Sequence, residues 1–408
     1  MNFSNAYSWN NLQYYALVIL ACLPLMPYGV LSIAMAFFFI VSIASFFFER
    51  KKIDPWDWKF FFGQTLFFFL ALLSLSYSDH KHEGFNSLLR AAPLVLFPLS
   101  SMFSSGIDKK KFKNILLVYV GSTVSVCIYF CFFLFSNYNW DYIFSGSLVY
   151  HVTKSQRFYL DVHPTFTSIH FVVGTLIGLS FIQSKKSNNK IKTLLVLVLL
   201  LFLLGVIVFS SKFVILVYLA SVFGLGLYYF ARDTKGQILA ATTFFLIIFL
   251  MFQSETISNK FQDFGLSLIG KSSVNASSTN IRKVLLACST DLISSNWLFG
   301  YGLGSELFKV KECLEMRNIT EITGVHNYFL RLWLSSGIVT LLAFGFSIYL
   351  NLFGRSSYSH KSLFFAISFI FVSAMLIEDY LSRAYGIALY GFVNCIFMVS
   401  SKSNLKDN

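Results

Sequence analysis

Residues 324–350 read "GVHNYFLRLWLSSGIVTLLAFGFSIYL". From Tyr328 onward this is an apolar run of the length a helix needs to cross a bilayer, about 20 residues. A histidine and an asparagine, His326 and Asn327, stand at its head. Runs of the same kind recur along almost the whole chain. Of its 408 residues 56% are hydrophobic, 12% are charged and 49 are Phe, and the mean hydropathy is +0.66. Soluble domains carry about a quarter charged residues. The runs are solidly apolar rather than alternating, which argues against a membrane β-barrel. The expected fold is all-α: a polytopic integral membrane protein of about 12 transmembrane helices.

The runs lie near 12–28, 29–48, 58–77, 87–104, 114–135, 165–182, 193–210, 213–230, 237–252, 326–352, 362–377 and 385–400. Pro24, Pro27 and Gly29 separate the first two. No cleavable signal is visible ahead of the first, so it is expected to stay as a span. The formal charge of +13 could suggest nucleic acid, but its placement points to a membrane. "ERKKID", "IDKKKFK", "SKKSNNKIK", "ARDTKG", "GRSSYSHK" and "SKSNLKDN" together hold 17 of the 32 Lys and Arg. All six fall on one side of a twelve-span chain, the cytoplasmic side by the positive-inside rule. Both termini then face the cytoplasm.

The other side carries two long loops, about 136–164 and 253–325. The second balances seven basic against seven acidic residues. Within it Ile281, Val284, Leu285, Cys288 and Leu292 recur at helical intervals, and "WLFGYGLGS" supplies a turn on Gly300, Gly302 and Gly304. A connection this long is usually functional. The chain reads as one membrane domain, 1–408, with 253–325 as a loop subdomain. Cys288 and Cys313 share that loop, and an oxidising compartment would allow a disulfide. No Cys or His spacing resembles a metal site, and no cofactor is expected.

Candidate residues gather on the loop side. Arg90, in "SLLRAAPLVLFP", lies at the end of the fourth run, where an arginine at membrane depth is costly; it either serves function or pairs with an acid such as Glu378. Lys212 tips the hairpin "FSSKF", as a snorkelling lysine or an anion contact. Arg282 opens the amphipathic helix. His326 has an unperturbed pKa of about 6.5, suited to proton transfer at neutral pH. Arginine and lysine around it could hold a phosphate without metal. His163, in "HPTF", either lines the same cavity or caps a helix, whose first turn suits Pro164. Glu378, Asp379 and Arg383, in "LIEDYLSRAYG", read most simply as a self-satisfied salt-bridged turn. His170 reads as a polar core contact.

His326-Asn327, nine residues, Gly337, two residues, Thr340: this pattern is similar to the signature of the O-antigen ligases within the O-antigen ligase/polymerase family. Arg282 followed by Leu286 resembles that family's Arg-x-x-x-Leu element. "NWLFGYGLGS" resembles the segment that follows it there, and "HPTF" and "EDYLSRAYG" resemble segments of a bacterial subgroup. One departure stands out: the hairpin usually carries Ser-Arg, and here it reads Ser211-Lys212. Lysine keeps the charge but loses the bidentate fork.

The resemblance implies a GT-C-like, metal-independent, inverting glycosyltransferase in the bacterial inner membrane. Its donor would be a glycan on undecaprenyl diphosphate, presented at the periplasmic leaflet. Its acceptor would be lipid A-core, or a second lipid-linked repeat if the chain is an O-antigen or capsule polymerase. It implies His326 as general base, Asn327 orienting the base or the sugar, and Arg282 with Lys212 holding the departing diphosphate. Arg90 and His163 are carried as further substrate contacts. A lipid-linked oligosaccharide flippase is the rival from another class, but the internal repeats common in transporters are absent from the sequence.

Overall fold

The computed structural model describes residues 9–49, 53–104, 106–137, 164–183, 189–209, 212–229, 278–317, 319, 324–354 and 360–404, with isolated positions 237 and 245. All regular structure among these residues is helical. In chain order the helices are α1 (Trp9–Leu20), α2 (Tyr28–Phe48), α3 (Pro55–Ser74), α4 (Lys81–Ala91), α5 (Pro93–Phe103), α6 (Lys109–Asn137), α7 (Pro164–Gln183), α8 (Asn189–Phe209), α9 (Lys212–Tyr229), α10 (Ser278–Ser295), α11 (Glu306–Glu315), α12 (Tyr328–Phe353), α13 (Lys361–Ile377) and α14 (Ala384–Asn404). Seven of the described helices are long and apolar enough to cross a membrane, and α9 and α13 are shorter apolar helices. The chain is a polytopic, all-helical membrane protein.

Two of the twelve expected spans are redrawn. The first is only 12 residues of helix, followed by a 3₁₀ turn at Leu23–Leu25 with Pro24 inside it. The fourth, 87–104, is two helices of 11 residues each. At about 1.5 Å per residue, neither can cross a bilayer alone. Pro93 starts the second helix because it has no N–H to give the first. The ninth run, 237–252, and loop 136–164 lie outside the described residues, apart from positions 136, 137, 164, 237 and 245.

The main core is a membrane-type interior of buried rings: Tyr119 of α6, Phe171 of α7, Phe364 and Phe371 of α13, Phe392 and Phe397 of α14. α14 is almost wholly enclosed, which fits its run of small and apolar residues. A separate small core joins α10 and α11 through Leu285, Cys288, Ile293, Val310, Cys313 and Leu314. Cys288 and Cys313 are disulfide-bonded there.

Among the described residues, parts of four of the basic stretches converge. Lys402 Nζ bonds Asp57 Oδ2 at 2.7 Å and the carbonyls of Met102 and Ser104. Phe112 stacks on His360, Lys111 reaches Asn11, and the Asn10 N–H donates to Glu49. The starts of α1, α3, α6 and α13 and the ends of α2, α5 and α14 therefore share one end of the bundle.

At the opposite end α12 is sharply bent. Gly337 has φ 78° and ψ 177° within it. In a straight helix residues 328 and 344 would be about 24 Å apart, yet the Tyr328 and Phe344 rings lie 5.4 Å apart. The arm 328–336 folds back along 338–353, and its head, with His326 and Asn327, comes down beside α13.

Candidate active site

The bend is built by the glycine turn that follows α10. The Ile338 N–H donates to the carbonyl of Trp297 (3.1 Å), and the Tyr301 N–H to the carbonyl of Leu334 (2.7 Å). A Cβ on Gly337 would sit 1.9 Å from the Leu298 carbonyl oxygen. Gly337 thus has two reasons to be glycine, the positive φ and the close approach. Thr340 Oγ1 bonds the Ser336 carbonyl just past the bend. The 297–304 turn and the head of α12 are one unit.

Asn327 caps α12. Its Oδ1 accepts the Leu330 N–H at 3.0 Å, an N-cap bond. Its Nδ2 donates to the Leu376 carbonyl at 2.9 Å, near the end of α13. Both polar groups of its amide are therefore engaged by protein, and they fix the residue beside it. That residue, His326, has φ 51°. Such a conformation is uncommon for a residue with a Cβ and persists where the surroundings over-determine it.

The partner of His326 is Glu378, the residue after α13. His326 Nδ1 lies 3.0 Å from Glu378 Oε2, and Arg282 of α10 donates to Glu378 Oε1 at 2.7 Å. One carboxylate thus bridges the two residues expected to carry the chemistry. Because a carboxylate can only accept, Nδ1 carries the proton and Nε2 is left for another partner. The hydrogen bond to Glu378 outweighs burial and raises the His326 pKa above its ordinary value. The side chains are 40% exposed for His326 and Arg282 and 19% for Glu378, so the group is open to a ligand. Glu378 was not expected here. It lies 96 residues from Arg282 and 52 from His326, a distance no local spacing could reveal. The one available signal was a pair of adjacent acids in a chain with only 19.

The turn that carries Glu378 is not self-satisfied. Asp379 Oδ2 accepts the Val325 N–H at 3.2 Å and lies 3.8 Å from Arg331. Arg331 Nε donates to Glu306 Oε1 at 3.1 Å, and Glu306 is fully buried. Glu306 Oε2 also accepts the Gly304 N–H. This second cluster ties the glycine turn, α11, α12 and the 378–383 turn together around the His326 loop.

The other expected site residues fall as follows. Lys212 is the first residue of α9. That helix packs against α13, with Tyr229 at its far end bonded to Ser362. The Lys212 end therefore lies at the Glu378 end of α13. Phe166 stacks on Tyr380, so α7 also begins at this end; His163, just before it, lies outside the described residues. Arg90 does not pair with Glu378. It sits on exposed α4, bonded to the Asn86 carbonyl and Ser87 of its own helix. His170 bonds the buried Tyr119 hydroxyl at 2.9 Å, as a core contact.

Residues 167–345 match the family model described as O-antigen ligase. No curated protein matches the chain. The matched segment runs from the start of α7 through the bend of α12, so it contains Lys212, Arg282, the glycine turn, His326 and Gly337, while Glu378 and Arg90 lie outside it. Within an all-helical membrane fold, residues 167–345 are thus similar to the O-antigen ligase family.

Proposed function

We propose that the protein is a metal-independent, inverting glycosyltransferase that moves an O-antigen glycan from undecaprenyl diphosphate to lipid A-core at the periplasmic face of the inner membrane. The observation that supports this best is the Arg282–Glu378–His326 arrangement. Glu378 holds the imidazole by Nδ1 and favours its protonated form. In the neutral ring Nε2 is placed to take the proton of an acceptor hydroxyl, as a stronger base than a free imidazole. The hydroxyl oxygen attacks the anomeric carbon, the bond to the diphosphate oxygen breaks, and the diphosphate leaves with the electron pair. Arg282 has further N–H groups beyond the one on Glu378, and with Lys212 it supplies positive charge where the leaving group's negative charge grows. Asn327 acts by holding the His326 loop.

In vitro transfer from a lipid diphosphate donor, with chelator present throughout, tests the reading. Activity should persist in chelator and in Lys212→Arg, and should fall in Arg282→Ala with weaker donor binding. A strict metal requirement overturns it. The acceptor is tested separately, on a lipopolysaccharide gel of a deletion strain. Loss of the whole ladder with accumulation of lipid-linked polymer supports a ligase; a single repeat left on the core shows a polymerase instead.

A further inference from the structure

A cavity that does not include His326, Glu378 or Arg282 opens between α3, α4, α12 and the 380–382 turn. Its volume is about 530 Å³ with the solvent at its mouth, and its lining includes Phe67, Leu88, Arg90, Arg331, Leu332 and Ser382. Arg383 follows Ser382 in the chain. Burial, then Arg331 and Arg383, push the Arg90 guanidinium below its ordinary pKa, so the three cations feel one another. Two carboxylates reach this group, Glu306 and Asp379, and both are on Arg331. Among the described residues Arg90 and Arg383 form no ion pair. The two carboxylates are taken up by Arg331, and like charges at Arg90 and Arg383 without an ion pair of their own repel one another. An anion bound between them would reverse that.

The walls add a second constraint. Phe67, Leu88 and Leu332 are apolar, and on α4 Phe85 and Leu89 are 53% and 57% exposed beside Arg90. α4 carries charge and apolar surface together, the pattern of a helix lying in a membrane interface. A free anion would use the arginines and leave Phe85 and Leu89 wet beside them. An anionic amphiphile would use both.

We propose that this cavity binds the phosphate of a phosphorylated amphiphile, the second lipid of the reaction, with Arg90 at the lining and Arg383 behind Ser382 on the phosphate and the chain along the exposed Phe85 and Leu89. The proposal rests on the two-substrate reading above, in which Arg282 and Lys212 already serve the donor. Arg90 and Arg383 are on this view specificity residues for the acceptor side.

The test is binding, not turnover. Full-length protein in phosphatidylcholine nanodiscs is titrated with dodecyl phosphate bearing a fluorescent tail. The double variant Arg90→Gln, Arg383→Gln should bind it about tenfold or more weakly, the scale of one lost hydrogen bond to a charged group. Arg90→Lys with Arg383→Lys should keep most of the binding, which separates charge from fold. Arg282→Gln, at the donor site, should weaken it much less than the Gln pair does. Equal binding by the Gln pair, or an equal loss in Arg282→Gln, overturns the site. Inorganic phosphate that displaces the probe at matching concentration overturns the lipid assignment and leaves a simple anion site. Because no transfer is measured, each of these failures is distinct from failure of the donor reading, which would show as no transfer by the wild-type protein.

Discussion

Glu378 and Asp379 are neighbours in the chain and end up in opposite circumstances. Glu378 faces two cations that are each 40% exposed. Asp379 belongs with Arg331 and Glu306, whose side chains are 13% and 0% exposed. The first group is open, sits beside a left-handed His326, and leaves an imidazole nitrogen for a substrate. The second is closed, and its hydrogen bonds run into the backbone at Val325 and Gly304. A buried ion pair is weak evidence for stability, but losing one partner strands the other. The exposed pair gains little stability from solvent-screened charge. The comparison separates the residues proposed to do chemistry from those that hold them in place, although both groups are built from the same side-chain types.

Mutations should divide along the same line. His326→Ala should cut turnover by about 10²–10⁴-fold while donor binding and thermal stability stay near wild type; a matched loss of stability would move His326 into the structural group. Arg331→Leu should do the reverse first. It leaves Glu306 charged and buried, which costs about 3–5 kcal/mol, visible as a lowered unfolding temperature in detergent. Arg282→Leu, at the open cluster, should shift that temperature far less. A smaller effect is expected at the bend. Gly337→Ala should lose about 1–3 kcal/mol from the backbone conformation alone, and its Cβ would also push the Leu298 carbonyl away. If Gly337→Ala is as stable and active as wild type, the turn and the α12 head are not coupled as described.

Much of this was legible in the sequence, and for identifiable reasons. Helix α10 declared itself by the spacing of Val284, Leu285, Cys288 and Leu292, and the glycine turn by Gly300, Gly302 and Gly304, all with positive φ. These are local signals, carried by period and backbone preference. The fourth span was misread because hydropathy ran on through Pro93, whose backbone effect was the better guide. The partners of the charged residues were not legible at all. Arg90 was a reasonable candidate to pair with Glu378, and only the packing of α10, α12 and α13 shows that Arg282 and His326 take it instead. The turn at 378–383 was read as satisfied within itself, because its acids and arginine are close in sequence; the backbone directs the two acids outward, to Arg282, His326, Val325 and Arg331.

The central claim is that His326, held by Glu378, is the base. The Glu378 hydrogen bond raises the His326 pKa, and the base must be unprotonated to act. The acid limb of kcat/KM should therefore lie above the value of about 6.5 for a free imidazole. The same shift contributes stability that is full below that pH and is lost as pH rises through the folded pKa. Glu378→Gln removes the charge but keeps an acceptor oxygen, so the imidazole should lose its proton more readily. The deciding measurement is the pH dependence of kcat/KM for wild type and Glu378→Gln in the purified transfer assay. The account predicts an acid limb that moves to lower pH in the variant, with a reduced plateau from the weaker base. An acid limb at the same pH in both proteins would contradict it.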